Sequence, residues 1–531
     1  MTLTATSPLK QTEPAQEAQE ETPSAVRRPN RRAVMVSAVL TQLMIVLDLT
    51  IIAIALPHMQ EDLGMTVSQS PWTVTGYSLA FGGLVLFGGR LCAVVGIRRS
   101  YQVGLIGFGI ASLAAGMATS FSVLLAARVA QGCFGALLAP TSQSLLNVTF
   151  TERTERERVF AIFGATGGLG AAVGLLVGGA LTDWFSWRWA LYINILLAAA
   201  ALLIGQRSLP PADQRDRGSR ITDDLSGLVL GCGACFSAVY GLDRAQQTSW
   251  TSTSTVSWLA LGGIAAALFV VRERFANRPV LPLSMLALPV RAASYATQFI
   301  AGAAQMGAII YLTYYMQNHF GYSPLKSGVV FLPMVLALIA TAIPAGRIIV
   351  PRLGARGTLP LGLAVLAGSF LIFSRMTTES TYEHVALPGL IVFGMGLGLT
   401  MPVTFNSGTR GVDAKRTGLA SAILSAAQQI GGSFGVALMT SYATQHAEDY
   451  VTDHAAQVRA EAMEAMMRAQ ALPQSPAGKQ IIETLKAQLV DRAQIEAYSG
   501  GFTMMTWLLA GAATVLVACG IGLSLRRRRR R

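Results

Sequence analysis

Residues 33–56 read AVMVSAVLTQLMIVLDLTIIAIAL, an apolar run in which Asp48 is the single charged residue. A helix of about 20 apolar residues crosses the hydrocarbon core of a bilayer. A carboxylate inside such a helix is expensive unless it is paired, hydrated or protonated. The stretch therefore predicts a transmembrane helix that retains one acid for a functional reason.

The composition extends this prediction to the whole chain. Hydrophobic residues make up 52% of the 531 residues and charged residues 13%, and the mean hydropathy is +0.47. Soluble domains carry about 25% charged residues, so the fold class predicted is an all-α membrane protein. Fourteen apolar runs are candidate transmembrane helices: 34–57, 72–95, 101–119, 121–148, 158–182, 188–206, 225–242, 254–271, 292–316, 327–350, 358–375, 386–407, 416–441 and 502–525.

The net charge of +13 is explained by membrane orientation better than by nucleic-acid binding. Most of the 41 Lys and Arg residues fall in segments that share one side of the membrane with both termini. Basic residues concentrate in cytoplasmic loops, so both termini are expected to be cytoplasmic. The chain ends in six arginines, Arg526–Arg531, which we expect to contact anionic lipid headgroups.

The pattern of runs and loops divides the chain into segments. One of these segments is a helix-forming, Ala- and Glu-rich stretch that would lie outside the membrane. The predicted segments are a disordered cytoplasmic tail (1–33), a six-helix bundle (34–206), a linker with an inserted hairpin of spans 7 and 8 (207–291), spans 9–13 (292–441), an extracytoplasmic loop with helices (442–501), span 14 (502–525) and the arginine tail (526–531).

An internal repeat relates the two halves. GGRLCAVVGIRRSYQVGLIG (88–107) parallels AGRIIVPRLGARGTLPLGLA (345–364), and GCFGALLAP (132–140) parallels GMGLGLTMP (394–402). Repeats in the same order are typical of transporters whose substrate site lies between the repeats. A channel or receptor would not require this arrangement.

Six stretches occur in order along the chain: LDLTIIAIALP, WTVTGYSLAFGGLVLFGGRL, ARVAQGCFGALLAPTSQSLL, GLLVGGALTDWFSWRWALYINI, YLTYYMQNHFGYSPLKSGVVFLP and GLASAILSAAQQIGGSFGVAL. Together they resemble the fourteen-span drug:proton antiporters of the major facilitator superfamily. The resemblance covers about residues 34–525 and is carried by six stretches in order. It implies two six-helix bundles with an inserted two-helix hairpin, no enzymatic activity, and drug efflux driven by protons without a cofactor.

The loop between spans 2 and 3 departs from the family pattern Gly-x-Leu-Ala-Asp-Arg-x-Gly-Arg-Arg. Ala93 and Val94 stand at the aspartate and first arginine positions. In the family that aspartate helps to hold the halves together on the cytoplasmic side, so a weaker inner gate is expected. The remaining gate-loop residues are Gly89, Arg90, Gly96, Arg98 and Arg99.

Arg128 is the one basic residue deep within an apolar run, about two turns into span 4. It could extend to the membrane interface. With Gln131 it matches the family's span-4 motif, which favours an arginine facing the central cavity. There it would interact with backbone carbonyls, with Gln131 or with a nearby carboxylate.

Small residues in spans 4 and 5 predict close helix packing. Gly170, Gly174 and Gly178 recur every fourth residue and form a smooth stripe, with Gly179 beside it. One interpretation is general packing; the other, from the resemblance, is a bendable contact between the halves. Pro140 closes the glycine-rich segment of span 4.

Polar and aromatic residues in the spans are candidates for lining an apolar substrate cavity, although each could equally be a packing residue. The five histidines show no metal-ligand spacing, and the Cys232–Cys235 pair lacks a second pair. No phosphate-binding loop is present, so an ion gradient must supply the energy. The candidates are Tyr77, Gln305, Tyr311, Gln317, Asn406 and Gln428.

Asp48 is the candidate proton carrier. At about 1.5 Å per residue it lies roughly 22 Å from Ala33 along the helix, slightly to the outer side of centre, where a cavity wall is expected. A cationic substrate and a proton would compete for its carboxylate. The alternative is a structural role, in which Thr41, Gln42 or Arg128 pins the carboxylate to hold helices together.

The sequence thus predicts a monomeric, proton-coupled exporter of amphiphilic drugs or antibiotics, organic cations among them, across the cytoplasmic membrane. Its partners would be the small-molecule substrate, protons and membrane lipids. Two alternatives remain. One is an exporter of an endogenous lipid or metabolite, coupled weakly or not at all, and the other is a non-transporting scaffold or sensor that works through the 442–501 segment.

Overall fold

The computed structural model describes residues 30–66, 69, 72–206, 209, 225–276, 285, 288–412, 417–468 and 475–529. Their regular secondary structure is helical, with three short π-helical segments at Tyr315–His319, Ala345–Ile349 and Tyr382–Ala386. The main α-helices are α1 (Arg31–Asp62), α2 (Trp72–Val95), α3 (Ile97–Gly116), α4 (Phe121–Thr149), α5 (Arg153–Trp184), α6 (Trp187–Gly205), α7 (Leu225–Gln247), α8 (Thr253–Phe275), α9 (Pro289–Tyr314), α10 (Pro324–Val330), α11 (Leu332–Pro344), α12 (Val350–Phe373), α13 (Leu387–Thr409), α14 (Thr417–Arg468) and α15 (Pro476–Arg529).

Eleven helical stretches of the described chain are long and apolar enough to cross a membrane. A helix satisfies every backbone hydrogen bond within itself, which a span surrounded by lipid requires. One of the eleven, Leu325–Phe373, covers 49 residues and joins α10, α11 and α12; α3 and α5 are not among the eleven. The protein is therefore a multi-pass membrane protein, as its sequence predicts.

The helices pack as two bundles. In the first half, α1 packs against α4, α5 and α6, and α3 and α2 each pack against α4. In the second half, α9 packs against α13 and α14, while α15 packs against α12 and α14. The halves meet where α2 and α4 contact α14, and where α5 contacts α10, α11 and α13.

The contact surface between the halves is part polar and part aromatic. Near the end of the bundle where α1 begins, Gln143 Nε2 of α4 donates a hydrogen bond to Ser425 Oγ of α14 at 3.3 Å. Phe163 of α5 packs edge-on against Phe405 of α13, with ring centroids 6.2 Å apart. Both contacts join the first half to the second.

The internal repeat is visible in the backbone. Gly96 follows α2 with φ +96°, and Gly354, one residue beyond the position that the repeat aligns with Gly96, has φ +66°. A Cβ on Gly132 would lie 2.5 Å from the carbonyl oxygen of Tyr77. Met334, which the repeat aligns with Tyr77, places its carbonyl oxygen 2.0 Å from the Cβ position of Gly394. The two halves therefore share backbone turns and close helix contacts at matched or adjacent positions.

The segment predicted to lie outside the membrane extends the helices on either side of it. We expected one or two helices in 442–501. In the described residues this segment is formed by the end of α14, a helix of 52 residues, and the start of α15, a helix of 54 residues. The sequence explains the continuity, because no proline or glycine follows Gly435 before α14 ends. Of the other predicted segments, the tail before residue 30, the linker 210–224 and Arg530–Arg531 lie outside the described residues.

Candidate functional site

Asp48 lies in the middle of α1, and its side chain has no exposed surface. Both carboxylate oxygens accept hydrogen bonds from neighbouring helices. Arg128 Nη1 of α4 donates to Oδ2 at 2.5 Å, and Asn194 Nδ2 of α6 donates to Oδ1 at 2.6 Å. Gln131 Nε2 also donates to Oδ1, at 3.2 Å. The carboxylate is thus enclosed by an ion pair and two amide donors.

Arg128 is equally buried and is fixed from several directions. Its Nε donates to the carbonyl oxygen of Thr73 at 3.0 Å, and Nη1 donates to Gln131 Oε1 at 2.9 Å. Its guanidinium carbon lies 4.6 Å from the centre of the Tyr77 ring, a cation–π distance. Gln131 Nε2 donates in turn to Ser112 Oγ of α3 at 2.8 Å. One polar network therefore joins α1, α2, α3, α4 and α6.

The position of this network differs from the expectation. We expected Asp48 on a cavity wall and Arg128 facing the central cavity, but both side chains are 0% exposed and lie inside the first six-helix bundle. Snorkelling of Arg128 to an interface is likewise not observed. The pairing of Asp48 with Arg128 is the arrangement that we considered as the structural alternative.

Three buried polar atoms of this network make no hydrogen bond to any residue in the described part of the chain: Arg128 Nη2, Tyr77 Oη and Asn194 Oδ1. Buried polar groups of this kind are normally satisfied, since leaving one unpaired costs about 1–3 kcal/mol. The network therefore retains one donor on Arg128, one acceptor on Asn194 and the Tyr77 hydroxyl, each able to make a further hydrogen bond.

Sequence reasoning missed Asn194, Ser112 and the carbonyl of Thr73. Asn194 could have been found, because it is the one amide side chain in the apolar run of α6. Ser112 and Thr73 give no such signal, since small hydroxyl residues are common in membrane helices and a backbone carbonyl has no sequence signature.

The second-half candidates do not join this network. Gln428 Nε2 lies 3.5 Å from Gln305 Oε1, and Tyr311 Oη donates to Thr440 Oγ1 at 3.0 Å. Asn406 is half-buried, and its Oδ1 has no partner among the described residues. Gln317 is half-buried in the π-helical segment after α9. These neutral polar residues lie away from the Asp48 network, along α9, the π-helical segment after it, α13 and α14.

The glycine stripe of α5 faces α1 of the same half. A Cβ on Gly174 would lie 1.9 Å from Thr50 Oγ1, and Cβ atoms on Gly170 and Gly178 would lie 3.1 Å from Val46 and 3.0 Å from Ile51. The nearest atoms all belong to α1, which fits the interpretation of general packing rather than that of a contact between the halves. Gly179 is buried too, as is Pro140 within α4.

The loop between α2 and α3 is a single-residue turn at Gly96, where the positive φ favours glycine. Gly89 is buried in the last turns of α2, and Arg90 is half-buried beside it. Arg98 Nη2 donates to the carbonyl oxygen of Gln206 at the C-terminal end of α6, at 3.3 Å. A cation at that position is favoured by the helix dipole. Arg99 is exposed.

Two cavities lie away from the Asp48 network. One, of about 390 Å³, lies between the extensions of α14 and α15. The other, of about 450 Å³, lies between the halves at the start of α5, where Glu155 and Arg158 face Arg347. Neither is lined by the predicted cavity residues. Within the described residues no cluster of three or more His, Cys, Asp or Glu side chains could hold a metal ion.

Comparisons with known proteins show the family. Residues 38–436 match the model of the Major Facilitator Superfamily. The chain is 39% identical over 429 residues to the puromycin resistance protein of Streptomyces alboniger, covering 80% of this chain and 84% of that protein. It is 33% identical over 406 residues to the cephamycin export protein of Amycolatopsis lactamdurans, covering 76% of this chain and 83% of that protein.

A further relative is the tetracenomycin C resistance and export protein of Streptomyces glaucescens, 32% identical over 418 residues, with 79% of this chain and 77% of that protein covered. The fold is similar to the crystal structure of a human organic anion transporter, with a TM-score of 0.55 at 15% identity, covering 91% of this chain and all of that one. This chain is therefore a membrane transporter, not an enzyme, and belongs to the major facilitator superfamily.

Proposed function

We propose that the protein is a proton-coupled exporter of amphiphilic small molecules, organic cations among them. The observation that carries the proposal is the buried Asp48–Arg128 ion pair in the first half, with Nη1 and Oδ2 2.5 Å apart. The names of the relatives, which are resistance and export proteins for puromycin, cephamycin and tetracenomycin C, support export of antibiotics.

The proposal includes fourteen spans with both termini in the cytoplasm. The eleven candidate spans become fourteen when α3 and α5 are added and Leu325–Phe373 is divided at Gly354, whose φ of 66° and ψ of 171° interrupt the helix. The spans would form two six-helix halves with α7 and α8 inserted between them, acting as a monomer. The extensions of α14 and α15 would then lie outside the cell.

Protonation would change the charge of the buried network. With Asp48 ionised, the carboxylate and the Arg128 guanidinium neutralise each other, and the pair can remain buried. With Asp48 protonated, the guanidinium keeps its charge without a counterion, which burial disfavours strongly. Protonation would therefore favour a conformation in which water reaches the network, and deprotonation would favour the enclosed one.

This mechanism differs from direct competition between substrate and proton. Asp48 has no exposed surface and is held by three donors, so a cation would have to displace Arg128 to reach it. We therefore place coupling in the conformational equilibrium, with substrate bound between the halves near the neutral polar residues of α9, α13 and α14.

The proton gradient can supply the required energy. One elementary charge crossing the membrane contributes about 2.3 kcal/mol per 100 mV. One pH unit adds about 1.4 kcal/mol, the equivalent of a tenfold concentration ratio. One proton per substrate is therefore sufficient for a useful substrate gradient.

Purified protein in proteoliposomes tests the proposal, with radiolabelled puromycin as the probe. An imposed pH gradient should drive its accumulation, and a protonophore should abolish that accumulation. An exporter of an endogenous metabolite would leave puromycin untouched, an uncoupled facilitator would ignore the pH gradient, and a scaffold or sensor would move neither puromycin nor protons. Any of these three results would contradict the proposal.

Cysteine labelling tests the orientation. In a variant without the five native cysteines, Gln457→Cys in the α14 extension should react with an impermeant maleimide on intact cells. Ser7→Cys in the N-terminal tail should react only after the cells are opened. Equal labelling of both positions on intact cells would contradict the proposed topology.

A further inference from the structure

The inserted hairpin brings a second carboxylate to the first half. Asp243, four residues before the end of α7, lies half-buried against α2. Thr75 Oγ1 of α2 donates to Asp243 Oδ1 at 2.9 Å, and Gln247 Nε2 donates to Oδ2 at 2.8 Å. Hydrogen bonds to a carboxylate are roughly twice as strong as those between neutral groups. Asp243 therefore anchors α7 to α2 at a defined point.

The same part of α2 holds Arg128. The carbonyl oxygen of Thr73 accepts the hydrogen bond from Arg128 Nε at 3.0 Å, and Thr73 precedes Thr75 by two residues. Arg128 belongs to α4 and Asp243 to α7, and α2 packs against both of these helices. This end of α2 is thus held between the arginine of the proton site and the carboxylate of the hairpin.

Close packing along α2 and α7 maintains this arrangement. A Cβ on Gly82 of α2 would lie 3.0 Å from Val239 Cγ2, and one on Gly83 would lie 3.2 Å from Phe236 Cβ, both on α7. Trp72, the first residue of α2, has its ring centroid 6.3 Å from that of Tyr240. A shift of α7 would therefore be transmitted to α2.

The hairpin also contacts the second half. Ser441 Oγ of α14 lies 3.4 Å from the carbonyl oxygen of Ala245 on α7, and Leu242 and Ala245 pack with Ala437 of α14. α7 is therefore in contact with both halves, with Asp243 on the side of the first half and Ala245 on the side of the second.

We infer that Asp243 is a positioning residue for proton coupling: through Thr75 it fixes α2, and through the Thr73 carbonyl it sets the orientation of Arg128 toward Asp48. The inference rests on the proposed function. It gives the inserted hairpin a role, because movement of α14 during transport would reach the Asp48–Arg128 pair through α7 and α2. Asp243 itself contacts neither substrate nor Asp48.

Infrared difference spectroscopy of the purified full-length chain tests the inference. The carboxylic-acid C=O band of Asp48 is identified by its loss in Asp48→Asn, and the midpoint pH at which it disappears is measured. Asp243→Asn and Asp243→Leu both remove the negative charge, but Asn keeps an oxygen that accepts from Thr75. Their difference therefore isolates the hydrogen bond from the charge.

We expect the midpoint of Asp243→Leu to lie at least about half a pH unit above that of Asp243→Asn, because a misaligned Arg128 stabilises the carboxylate less. Thr75→Val should shift the midpoint upward in the same way, and Thr75→Ser should restore it. Thr248→Val, which removes a hydroxyl bonded only within the hairpin and its turn, is the matched control and should have the wild-type midpoint.

Equal midpoints for Asp243→Leu and Asp243→Asn, with Thr75→Val at the wild-type value, would overturn the inference and leave the proposed function intact. If Asp243→Leu does not fold, the comparison of Thr75→Val with Thr75→Ser decides alone. Absence of a titrating Asp48 band in the wild-type protein would instead overturn the proposed function, and this inference with it.

Discussion

The two halves of the protein have similar backbone arrangements but different side chains at the positions that the repeat aligns. Continuing the repeat register places Gln305 of α9 at the position of Asp48 and Leu390 of α13 at the position of Arg128. In the first half these positions hold a buried ion pair. In the second half Gln305 faces Gln428 at 3.5 Å, and Leu390 is fully buried in an apolar core.

This difference separates two tasks. A buried ion pair changes its net charge with one proton, so the first half can respond to the proton gradient. The amide of Gln305 stays uncharged over the whole physiological pH range, and a buried leucine contributes only packing. We therefore assign proton response to the first half and contact with uncharged parts of the substrate to the second.

The largest effect that tests this difference is expected from Arg128→Leu. This change places in the first half the residue type that the second half has at the matching position, Leu390. Removing one partner of a buried pair costs about 3–5 kcal/mol, because Asp48 would be left buried and charged. Protonation of Asp48 relieves that cost, so the loss of stability should be greatest at high pH and smaller at low pH.

Thermal unfolding in detergent across a pH series measures this effect. Arg31→Leu is the control, since Arg31 forms an exposed pair with Glu155 at 2.8 Å and exposed pairs contribute about 0–1 kcal/mol. An Arg128→Leu variant as stable as Arg31→Leu at high pH would show that the buried pair is not ionised.

A moderate effect is expected from glycines that pack against the first helix of each half. A Cβ on Gly435 would lie 2.2 Å from the Ala303 carbonyl oxygen of α9, and the backbone cannot yield without separating the helices. On Gly170 it would lie 3.1 Å from the Val46 side chain, which can adjust. Gly435→Ala should therefore destabilise by about 1–3 kcal/mol and Gly170→Ala by less than about 1 kcal/mol.

The same thermal assay shows which of the two variants is the less stable. Gly368→Ala is a suitable control, because a Cβ there meets nothing within 4 Å. If Gly170→Ala is the more damaging of the pair, the backbone contact at Gly435 is not the stricter of the two.

The smallest effect is expected from Gln305→Leu. Loss of one amide in the second half should raise the KM for puromycin by about three- to tenfold, since a neutral hydrogen bond contributes about 0.5–1.5 kcal/mol. The number of protons moved per puromycin should not change. Initial rates in proteoliposomes with simultaneous pH recording give both quantities, and a changed proton ratio would place part of the coupling in the second half.

Much of the helical framework could be predicted from the sequence, because apolar length and basic loops reflect physical requirements of the bilayer. The run 34–57 lies within α1, and 72–95 coincides with α2. A glycine ends the apolar stretch in each repeat, at Gly96 and one register position later at Gly354, so the positive-φ turns at both could be anticipated.

The direction of side chains could not be predicted in the same way. Counting residues places Asp48 along the membrane normal but leaves its rotation around the helix axis undetermined. The sequence therefore cannot distinguish a cavity wall from the interior of the bundle. Similarly, spacing of four predicts that Gly174 permits close approach of a helix, but not that the helix is α1. Asp243 was missed because the apolar run ends at Leu242, whereas α7 continues to Gln247.

Proton coupling through Asp48 is tested most directly by Asp48→Asn in proteoliposomes loaded with puromycin. The variant keeps the amide acceptor for Asn194 and Gln131 but cannot bind and release a proton. We predict that an imposed pH gradient drives no accumulation of puromycin by Asp48→Asn, whereas this variant still exchanges external for internal puromycin. Asp48→Glu should retain part of the accumulation that the pH gradient drives. Accumulation by Asp48→Asn at the wild-type level under the same pH gradient would contradict the account.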